Sequence, residues 1–431
     1  MVTLRYAIPH VGSVVDTKIR KGSSVKNLGV IGCGLRSDCY LAQLESGLDT
    51  EWKLVALADP RQLSLDVYMR NYGNADVRTF SSGPEMLDAM GGQLDAVIIA
   101  SPNATHLDSL RPALTEDLTI LLEKPVATTV HDCAQMWQAY TGAGKPPLAV
   151  GFVLRYTTFY GKVKQIIDSG AIGDILSIEA AEMMAPPLTA NYMRGWRRKL
   201  GMSGPLLLEK CSHDMDLLNW FAGARAMHVT SFGERTKFLP RAEAAMHCND
   251  CRFKDTCRYS ICRIAPYLMD TSRRDAVGEL IPRHNDLCVY NSDKDVWDHQ
   301  VVNLRYENGV LVTFTVCTDQ PRTTRTIKVN GTDGEIIGDI GLDQLRVEYH
   351  SETKNVSRVE EVSVDHDTSG HHGGDSVISN QFKAMLRDEP VPPLAGLAEG
   401  IDACLVALGA EEAAVSHAVI DLDTLRSTVY G

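Results

Sequence analysis

The segment from Gly204 to Asp216 carries side chains that can move protons. Its sequence, GPLLLEKCSHDMD, spaces Glu209, His213 and Asp216 three and four residues apart, so a helix would place all three on one face. The leucines before them predict that this face is buried. A carboxylate beside an imidazole in an apolar setting suits general acid–base catalysis. The alternative is a core helix in which the two groups only satisfy each other.

A glycine turn near the start of the chain can hold a dinucleotide. A short apolar strand, 28–31, runs into Gly32-Cys-Gly34-Leu-Arg-Ser37, and a helical pattern follows. Gly32 permits the tight turn, and Gly34 lets the backbone approach a pyrophosphate at the helix N-terminus. Ser37 stands where the usual fingerprint has a third glycine.

An acidic residue closes the next strand. Asp59 ends the apolar run 53–59 and is placed to accept hydrogen bonds from both ribose hydroxyls of an adenosine. Its charge would repel a 2′-phosphate, so the sequence favours NAD over NADP as the cofactor. Arg61 nearby keeps NADP open as the alternative.

Periodicity predicts two domains. Up to residue 152, apolar strands alternate with amphipathic helices, which indicates an α/β Rossmann-type doubly wound parallel sheet. Strand-like segments then dominate, with helical patterns at the end of the chain. They predict a second α+β domain with a large, mainly antiparallel sheet. The predicted divisions are an extension at 1–26, an NAD-binding domain at 27–152 and a substrate and oligomerisation domain at 153–431.

Composition excludes several classes of function. The 431 residues are 44% hydrophobic and 23% charged, as in soluble globular proteins, and the length suits two domains. The net charge of −12 argues against a nucleic acid or an anionic membrane surface as partner. We find neither an apolar run of membrane-spanning length nor a secretory signal, so a cytoplasmic location is the default prediction.

Four of the eleven cysteines lie close together in an insertion at about 246–264. Four thiolates at this spacing can close a tetrahedral zinc site, which we predict to be structural. The alternative is a set of reduced or partly disulfide-linked cysteines without metal. The candidate ligands are Cys248, Cys251, Cys257 and Cys262.

A basic and aromatic segment, 191–199, directly precedes the helix with the acid–base residues. Arginine grips carboxylate or sulfonate groups, and tryptophan stacks on a sugar ring, so Arg194, Trp196 and Arg197 are candidates for binding an anionic sugar. The alternative is a solvated basic loop. Weaker candidates are Arg155 and Tyr156, at the predicted domain junction.

One further segment precedes a C-terminal helical pattern. His371-His372-Gly373-Gly374-Asp375 is either a mobile lip of the site or a helix cap.

Six segments together resemble the Gfo/Idh/MocA family, the oxidoreductases named for glucose-fructose oxidoreductase and inositol dehydrogenase. In the family's order they are GVIGCG at 29–34, ALADP at 56–60, IIASPNATH at 98–106, EKP at 123–125, GFVLRY at 151–156 and EKCSHDMD at 209–216. The resemblance implies that Lys124 lies beside the nicotinamide and that His213 is the catalytic acid/base. It also implies a nearby carboxylate at Glu209, where the family commonly has Asp.

The resemblance further implies a homo-oligomer, a dimer or tetramer formed through the second sheet. The cofactor contacts that the glycine turn and the matched segments predict are Gly32, Gly34, Leu35, Arg36, Asp59, Ser101, Asn103, His106, Glu123 and Lys124.

Together these observations predict NAD-dependent oxidation of a secondary hydroxyl on a sugar or sugar derivative. Lys124 can stabilise alkoxide charge, and His213 can take the hydroxyl proton. The alternative is an NAD-dependent glycosidase that oxidises C3 transiently and eliminates the aglycone of an anionic glycoside, such as a sulfoquinovoside or glucuronide. A third possibility is a non-catalytic dinucleotide sensor.

Overall fold

A computed structural model describes residues 25–45, 51–261, 263, 286–351, 358–364, 367, 370–390 and 392–431. Almost all of the predicted N-terminal extension and the candidate ligand Cys262 lie outside these ranges. Among the described helices, none combines the length and apolar character that a membrane span requires.

Six parallel strands form the first sheet, in the order β3-β2-β1-β4-β5-β6. This confirms the predicted Rossmann-type fold. The strand order reverses between β1 and β4, and ligands of such sheets bind at the carboxyl ends of the strands beside this point. The strands are β1 (Lys26–Ile31), β2 (Trp52–Ala58), β3 (Arg78–Phe80), β4 (Ala96–Ile99), β5 (Thr119–Leu122) and β6 (Leu148–Val150).

Helices connect these parallel strands, as the alternating pattern predicts. They are α1 (Leu35–Glu45), α2 (Gln62–Tyr72), α3 (Gly83–Met90), α4 (His106–Thr115) and α5 (Val130–Gly142).

Nine strands form the second sheet, in the order β14-β13-β12-β11-β7-β10-β9-β8-β15. Every neighbouring pair is antiparallel except β7 and β10, which confirms the mainly antiparallel prediction. The strands are β7 (Ile175–Met184), β8 (Ala226–Glu234), β9 (His299–Tyr306), β10 (Leu311–Thr318), β11 (Thr324–Gly331), β12 (Gly334–Asp339), β13 (Gln344–Tyr349), β14 (Arg358–Glu361) and β15 (Ile420–Asp421).

The remaining helices lie around this sheet and at the junction of the two domains. They are α6 (Thr158–Asp168), α7 (Pro186–Arg194), α8 (Leu200–Ser203), α9 (Leu206–Ala222), α10 (Gly374–Leu386), α11 (Leu397–Ser416) and α12 (Leu422–Tyr430).

Helix α9 is buried along most of its length. It packs on α11 and on strands β7 and β10 of the second sheet. Gly204, at a positive φ of 73°, and Pro205 precede its first turn, and Gly223 ends it in the left-handed conformation. Because neighbours cover several of its faces, its polar side chains must find partners inside the protein.

Helix α10 departs from the predicted domain division. Although it follows the second sheet in the chain, it packs on α1. Its Ile378 and Phe382 are buried in the same apolar cluster as Tyr40 and Leu41 of the first domain. The C-terminal part of the chain therefore completes the core of the cofactor domain.

The glycine turn after β1 shows why glycine is required at one of its two positions. Gly32 has a φ of +89°, and a Cβ there would lie 2.5 Å from the backbone nitrogen of Ser101 and 2.6 Å from the carbonyl of Ala100. A Cβ on Gly34 would meet no atom within 4 Å. The turn thus packs tightly on the strand β4 side and is open above Gly34.

Gly32→Ala should therefore lower the free energy of unfolding by about 2 kcal/mol or more, because strain and a backbone clash coincide. The matched variant Gly34→Ala should change it by less than about 0.5 kcal/mol. Urea unfolding of both variants measures this, and equal losses would contradict the packing described for the turn.

Candidate active site

A cavity of about 230 Å³ lies at the carboxyl ends of the first sheet's strands, between the two domains. Helix α1, the segments after β4 and β5, helix α9 and strand β11 all contribute to its walls. Many of the predicted site residues meet here: Arg36, Ser101, Asn103, Glu123, Lys124, Trp196, Arg197, Glu209 and His213.

Lys124 is fixed at the end of β5 by a contact with helix α9. Its Nζ donates a hydrogen bond of 2.8 Å to the backbone oxygen of Glu209, in the first turn of α9. Burial lowers the pKa of Lys124, although the carboxylates of Glu209 and Glu123 act in the opposite direction. The ammonium group is therefore held at the cavity wall with two further hydrogen-bond donors available.

Glu209 does not hold His213, which corrects the predicted role of this carboxylate. Its Oε2 accepts a hydrogen bond of 2.6 Å from Nδ2 of Asn103, and its Oε1 accepts one from Nε of Arg197. Burial opposes ionisation, but Lys124 and Arg197 keep the pKa of Glu209 below its usual value. Glu209 is thus an ionised side chain that joins Asn103 of the cofactor domain to Arg197.

His213 lines the cavity without a partner for one of its ring nitrogens. Its Nδ1 is buried and has no hydrogen-bond partner in the part of the chain that the structure describes. Burial lowers the pKa of His213 well below its usual value, and the nearby cations Lys124 and Arg325 add to this. The imidazole is therefore neutral near pH 7 and can accept a proton.

A buried ion network adjoins His213, and the sequence analysis missed it. Arg325 of β11 lies opposite Glu182 of β7 in the sheet, and its Nε is 2.7 Å from Glu182 Oε2 and 2.9 Å from Asp214 Oδ1. Lys210 Nζ is 3.3 Å from Glu182 Oε1. Both Lys210 and Arg325 line the cavity. The alternation of side chains along β11 predicts which face of the sheet carries Arg325. It does not predict which helix covers that face.

The segment before α10 belongs to the site. His371 lines the cavity, and its Nδ1 is 2.9 Å from Oδ2 of Asp375. Arg36 donates to Glu123 Oε1 at 2.8 Å, to Asp375 Oδ1 at 2.9 Å and to the hydroxyl of Tyr40 at 2.7 Å. Arg36 thereby ties α1, β5 and α10 together at the rim of the cavity.

The glycine turn and Asp59, which are predicted to hold the cofactor, lie side by side at the start of α1. Gly32, Gly34 and Leu35 form the turn at the N-terminus of α1, where the space above Gly34 is free. Asp59 lies next to the turn, accepting from Cys33 N at 3.0 Å and from the backbone nitrogen of Arg61 at 2.9 Å. These features fit a dinucleotide that lies along the carboxyl edge of the sheet.

His106 is placed differently from the other predicted cofactor residues. It is fully buried, with its ring nitrogens 2.9 Å from the carbonyl oxygen of Ser101 and 3.2 Å from that of Val126. His106 does not line the cavity. It braces the segments that carry Ser101 and Lys124.

Arg155 and Tyr156 are structural in this fold, which corrects their predicted place in the substrate site. Arg155 makes two hydrogen bonds of 2.7 Å to the buried carboxylate of Asp216 and a third to the backbone oxygen of Leu394. The Tyr156 hydroxyl accepts from the backbone nitrogen of Leu394 at 3.1 Å. Asp216, the last of the three residues predicted to share one face of α9, is paired with Arg155 and is not among the residues that line the cavity.

Arg194 lines a different cavity, which corrects its predicted role in binding an anionic sugar. It is 1% exposed and donates to the backbone oxygen of Tyr259. Its cavity measures about 500 Å³. Four described cysteines line it, namely Cys248, Cys251, Cys257 and Cys288.

The cysteine prediction is only partly covered by the structure. Cys262 lies outside the described residues, and Cys288 was not among the predicted ligands. The described cysteines carry no disulfide. Within the described ranges, no three His, Cys, Asp or Glu side chains are grouped closely enough to hold a metal ion.

Comparison with known families assigns both domains. Residues 26–152 match the family described as "Oxidoreductase family, NAD-binding Rossmann fold", and residues 160–337 match the "GFO/IDH/MocA C-terminal domain". The chain therefore belongs to the Gfo/Idh/MocA family of oxidoreductases, and its first domain is an NAD-binding Rossmann domain. The predicted family is confirmed.

Individual relatives are distant in sequence. YteT of Bacillus subtilis is 25% identical to this chain over 378 residues, which are 81% of this chain and 87% of that protein. Its name calls it an oxidoreductase and gives no substrate. Inositol 2-dehydrogenase 2 of Saccharopolyspora erythraea is 26% identical over 50% of this chain and 60% of its own length. Inositol 2-dehydrogenase of Ralstonia nicotianae is 28% identical over 46% of this chain and 54% of its own length.

Solved structures share the whole architecture. Levoglucosan dehydrogenase in complex with NADH superposes with a TM-score of 0.69, at 19% identity and over 92% of this chain and 99% of that one. Scyllo-inositol dehydrogenase from Lactobacillus casei superposes with a TM-score of 0.64 at 18% identity. The superposition covers 93% of this chain and 99% of that one. At this identity the likeness establishes the fold.

The lowered pKa of His213 predicts the pH dependence of turnover. A base acts when neutral, so kcat/KM should stay constant as pH falls through 6.5 and decline only at lower pH, where the buried imidazole gains its proton. Steady-state rates from pH 4.5 to 8 measure this, with the fold checked by circular dichroism at each pH. A half-maximal point at or above 6.5 would contradict the assignment.

Proposed function

We propose that the protein catalyses NAD-dependent oxidation of a secondary hydroxyl on a sugar or cyclitol. The observation that carries the proposal is that Lys124 and His213 line one cavity beside the glycine turn. The names of the inositol dehydrogenase relatives and of levoglucosan dehydrogenase favour a polyhydroxylated ring as the substrate.

Each residue has a distinct role in the proposed reaction. His213, neutral near pH 7, accepts the proton of the reacting hydroxyl. Lys124 donates a hydrogen bond to the same oxygen and stabilises its developing negative charge. Glu209 holds Arg197 and Asn103, and so fixes the start of α9 against the cofactor domain. NAD, when bound, supplies the hydride acceptor.

Asp59 carries the proposed preference for NAD over NADP. It lies beside the glycine turn, where the adenosine ribose of a dinucleotide is expected. Its Oδ1 also accepts a hydrogen bond of 3.3 Å from Nε of Arg61. A carboxylate already close to a cation still repels a 2′-phosphate, so NADP remains the disfavoured cofactor.

An anionic substrate is the finer part of the proposal. Besides Lys124 and Arg36, three cations line the cavity: Arg197, Lys210 and Arg325. Trp196 also lines it and offers a face on which a sugar ring can stack. Arg197 is engaged by Glu209 and Arg325 by two carboxylates, so Lys210, with its single ion pair at 3.3 Å, is the most available cation.

The second candidate is the redox-assisted glycosidase. The observation that favours it is the presence of another imidazole, His371, in the same cavity as His213. Simple oxidation of a hydroxyl requires one proton acceptor, whereas elimination of an aglycone requires a further group that removes a proton from carbon.

Wild-type protein is assayed on a panel of polyols and nitrophenyl glycosides, both neutral and anionic. We expect the protein to form NADH or nitrophenol from the panel and to prefer NAD to NADP. Lys124→Met should lower kcat at least about 100-fold, because it removes the oxygen's hydrogen-bond donor. Lys53→Met, an exposed lysine on β2, is the control. Wild-type-like turnover by Lys124→Met would remove the catalytic assignment, and a preference for NADP would remove the role of Asp59.

A structural zinc stays a proposal, and the four candidate ligands in the described residues are Cys248, Cys251, Cys257 and Cys288. The backbones of Cys248 and Cys288 are adjacent: Cys248 N donates to Asp286 O at 2.6 Å, and Cys288 N donates to Met246 O at 2.8 Å. Cys251 and Cys257 line the same cavity, so four cysteines surround the space in which a tetrahedral ion would be bound.

Protein purified without chelators should contain about one equivalent of zinc, as expected for a four-thiolate site. Cys288→Ser should lose it, and Cys317→Ser, which lies outside the cysteine cavity, should retain it. Elemental analysis measures the content, and wild-type protein free of zinc would refute the site.

Homo-oligomerisation through the second sheet also stays a proposal. Phe232 and Val301 face each other across β8 and β9 and are 70% and 38% exposed. Such an apolar pair on an open sheet face suits contact with another copy of the chain.

A further inference from the structure

The short turn Trp196–Arg198, between α7 and α8, forms part of the wall of the active-site cavity. Trp196 and Arg197 line the cavity. The Cζ atom of Arg197 lies 4.7 Å from the centre of the Trp196 ring, and its Nε donates to Glu209. Because the two side chains contact each other, the position of this backbone turn determines the position of both.

The long connection between β8 and β9 supplies contacts that fix the end of this turn. The connection contains the cysteine insertion, and we call its later residues, 288–295, the clamp segment. The backbone nitrogen of Asp295 donates to the Arg198 oxygen at 3.1 Å. Its Oδ1 accepts a hydrogen bond of 2.8 Å from the backbone nitrogen of Leu200, the first residue of α8. Asp295 therefore holds the chain directly after Arg197.

The chain before the turn is held from the same direction. Ser292 of the clamp segment donates a buried hydrogen bond of 2.7 Å from Oγ to the Met193 oxygen. Arg194, the last residue of α7, is 1% exposed and donates to the backbone oxygen of Tyr259 in the cysteine insertion. The backbone is thus attached to the β8–β9 connection on both sides of Trp196 and Arg197.

The clamp segment is itself held in a fixed shape. The backbone nitrogen of Ser292 donates to the Cys288 oxygen at 2.8 Å, and the buried Lys294 donates through Nζ to the Tyr290 oxygen at 2.8 Å. The Tyr290 ring packs on Phe238, with 5.6 Å between the ring centroids. None of residues 288–295 lines the active-site cavity. Any influence of the clamp segment on a bound ligand must therefore pass through the turn.

Asp293 adds ion pairs of a weaker kind. Its carboxylate lies 2.6 Å from Arg198 Nε and 3.1 Å from Lys199 Nζ, but its side chain is 62% exposed. Exposed ion pairs contribute little to holding a segment in place. The hydrogen bonds of Ser292 and Asp295 to the backbone on either side of the turn are the contacts that fix it.

We propose that the clamp segment positions Trp196 and Arg197 for the substrate, and that Asp295 is a positioning residue of the site. The inference rests on the proposed function, because it takes this cavity as the place where the substrate binds. The cysteine insertion then supports the reaction by holding this part of the cavity wall from outside. Lys124 and His213 reach the cavity from other elements, so a loosened turn should weaken substrate binding and leave proton transfer in place.

The first test compares Asp295→Ala with Asp295→Asn in the full-length protein. Alanine removes the acceptor for the Leu200 nitrogen, whereas asparagine keeps an oxygen there. With NADH formation from myo-inositol and from methyl β-D-glucuronide as the assay, Asp295→Ala should raise the KM for these compounds about 5-fold or more. Its kcat and its KM for NAD should stay within about 2-fold of wild type, and Asp295→Asn should resemble wild type. Asp255→Ala, at an exposed acid of the same insertion, is the matched control.

Two further variants test the other contacts. Ser292→Ala removes the donor to the Met193 oxygen on the opposite side of the turn, so it should raise the same KM by a similar factor. Asp293→Ala removes only exposed ion pairs and should change this KM by less than about 2-fold.

Hydrogen–deuterium exchange distinguishes a loosened turn from a general loss of stability, and it requires no substrate. In Asp295→Ala, amides of residues 195–203 should exchange about 10-fold faster or more, whereas amides of helix α9 should exchange as in wild type. Faster exchange in both regions would indicate a merely structural role and would overturn the proposal.

The remaining outcomes are also decisive. Unchanged exchange at 195–203, an unchanged KM in both Asp295→Ala and Ser292→Ala, or an Asp295→Asn protein as impaired as Asp295→Ala would refute the clamp segment and leave the proposed oxidation intact. Wild-type protein that forms no NADH from either compound would count against the proposed oxidation alone. The exchange measurement would then decide whether the clamp segment positions the turn.

Discussion

The burial of helix α9 constrains the whole site. Each acidic side chain on this helix must be neutralised inside the protein, and each does so through a different element. Glu209 binds Arg197 and Asn103, Asp214 binds Arg325, and Asp216 binds Arg155. The Asn103 hydrogen bond joins α9 to the cofactor domain, and the Arg325 pair joins it to the second sheet. Arg155, which binds Asp216, also donates to Leu394 in the segment before α11. His213 differs from these acids, because its buried Nδ1 has no hydrogen-bond partner among the described residues.

Charge pairing also explains which arginines are available to a ligand. The fold uses Arg155 to neutralise Asp216 and places Arg194 against the cysteine cavity. Arg36, at the start of α1, bridges Glu123 and Asp375 and so holds the rim of the active-site cavity. Which cations face a ligand therefore depends on which of them neutralise buried carboxylates. The number of basic residues in a segment does not decide it.

Much of the fold and part of the site follow from local sequence. Alternating strands and helices predict the first sheet, and the glycine turn with Asp59 predicts where a dinucleotide lies. The partners of long side chains do not follow from such patterns. Glu209 and His213 are correctly placed on one helix, yet the carboxylate turns to Asn103 of the cofactor domain and to Arg197. Arg325 and His371 come from distant parts of the chain, so only the tertiary fold shows that they meet His213.

Helix α10 has a consequence for how the molecule can be divided. It follows the second sheet in the chain, but its Ile378 and Phe382 fill the core beside Tyr40 and Leu41. A fragment that ends where the Rossmann strands end would expose this apolar surface and would also lose Asp375, one of the two carboxylates that bind Arg36. The cofactor domain is thus a discontinuous folding unit, and exchanging it as one contiguous cassette between homologues would separate it from part of its own core.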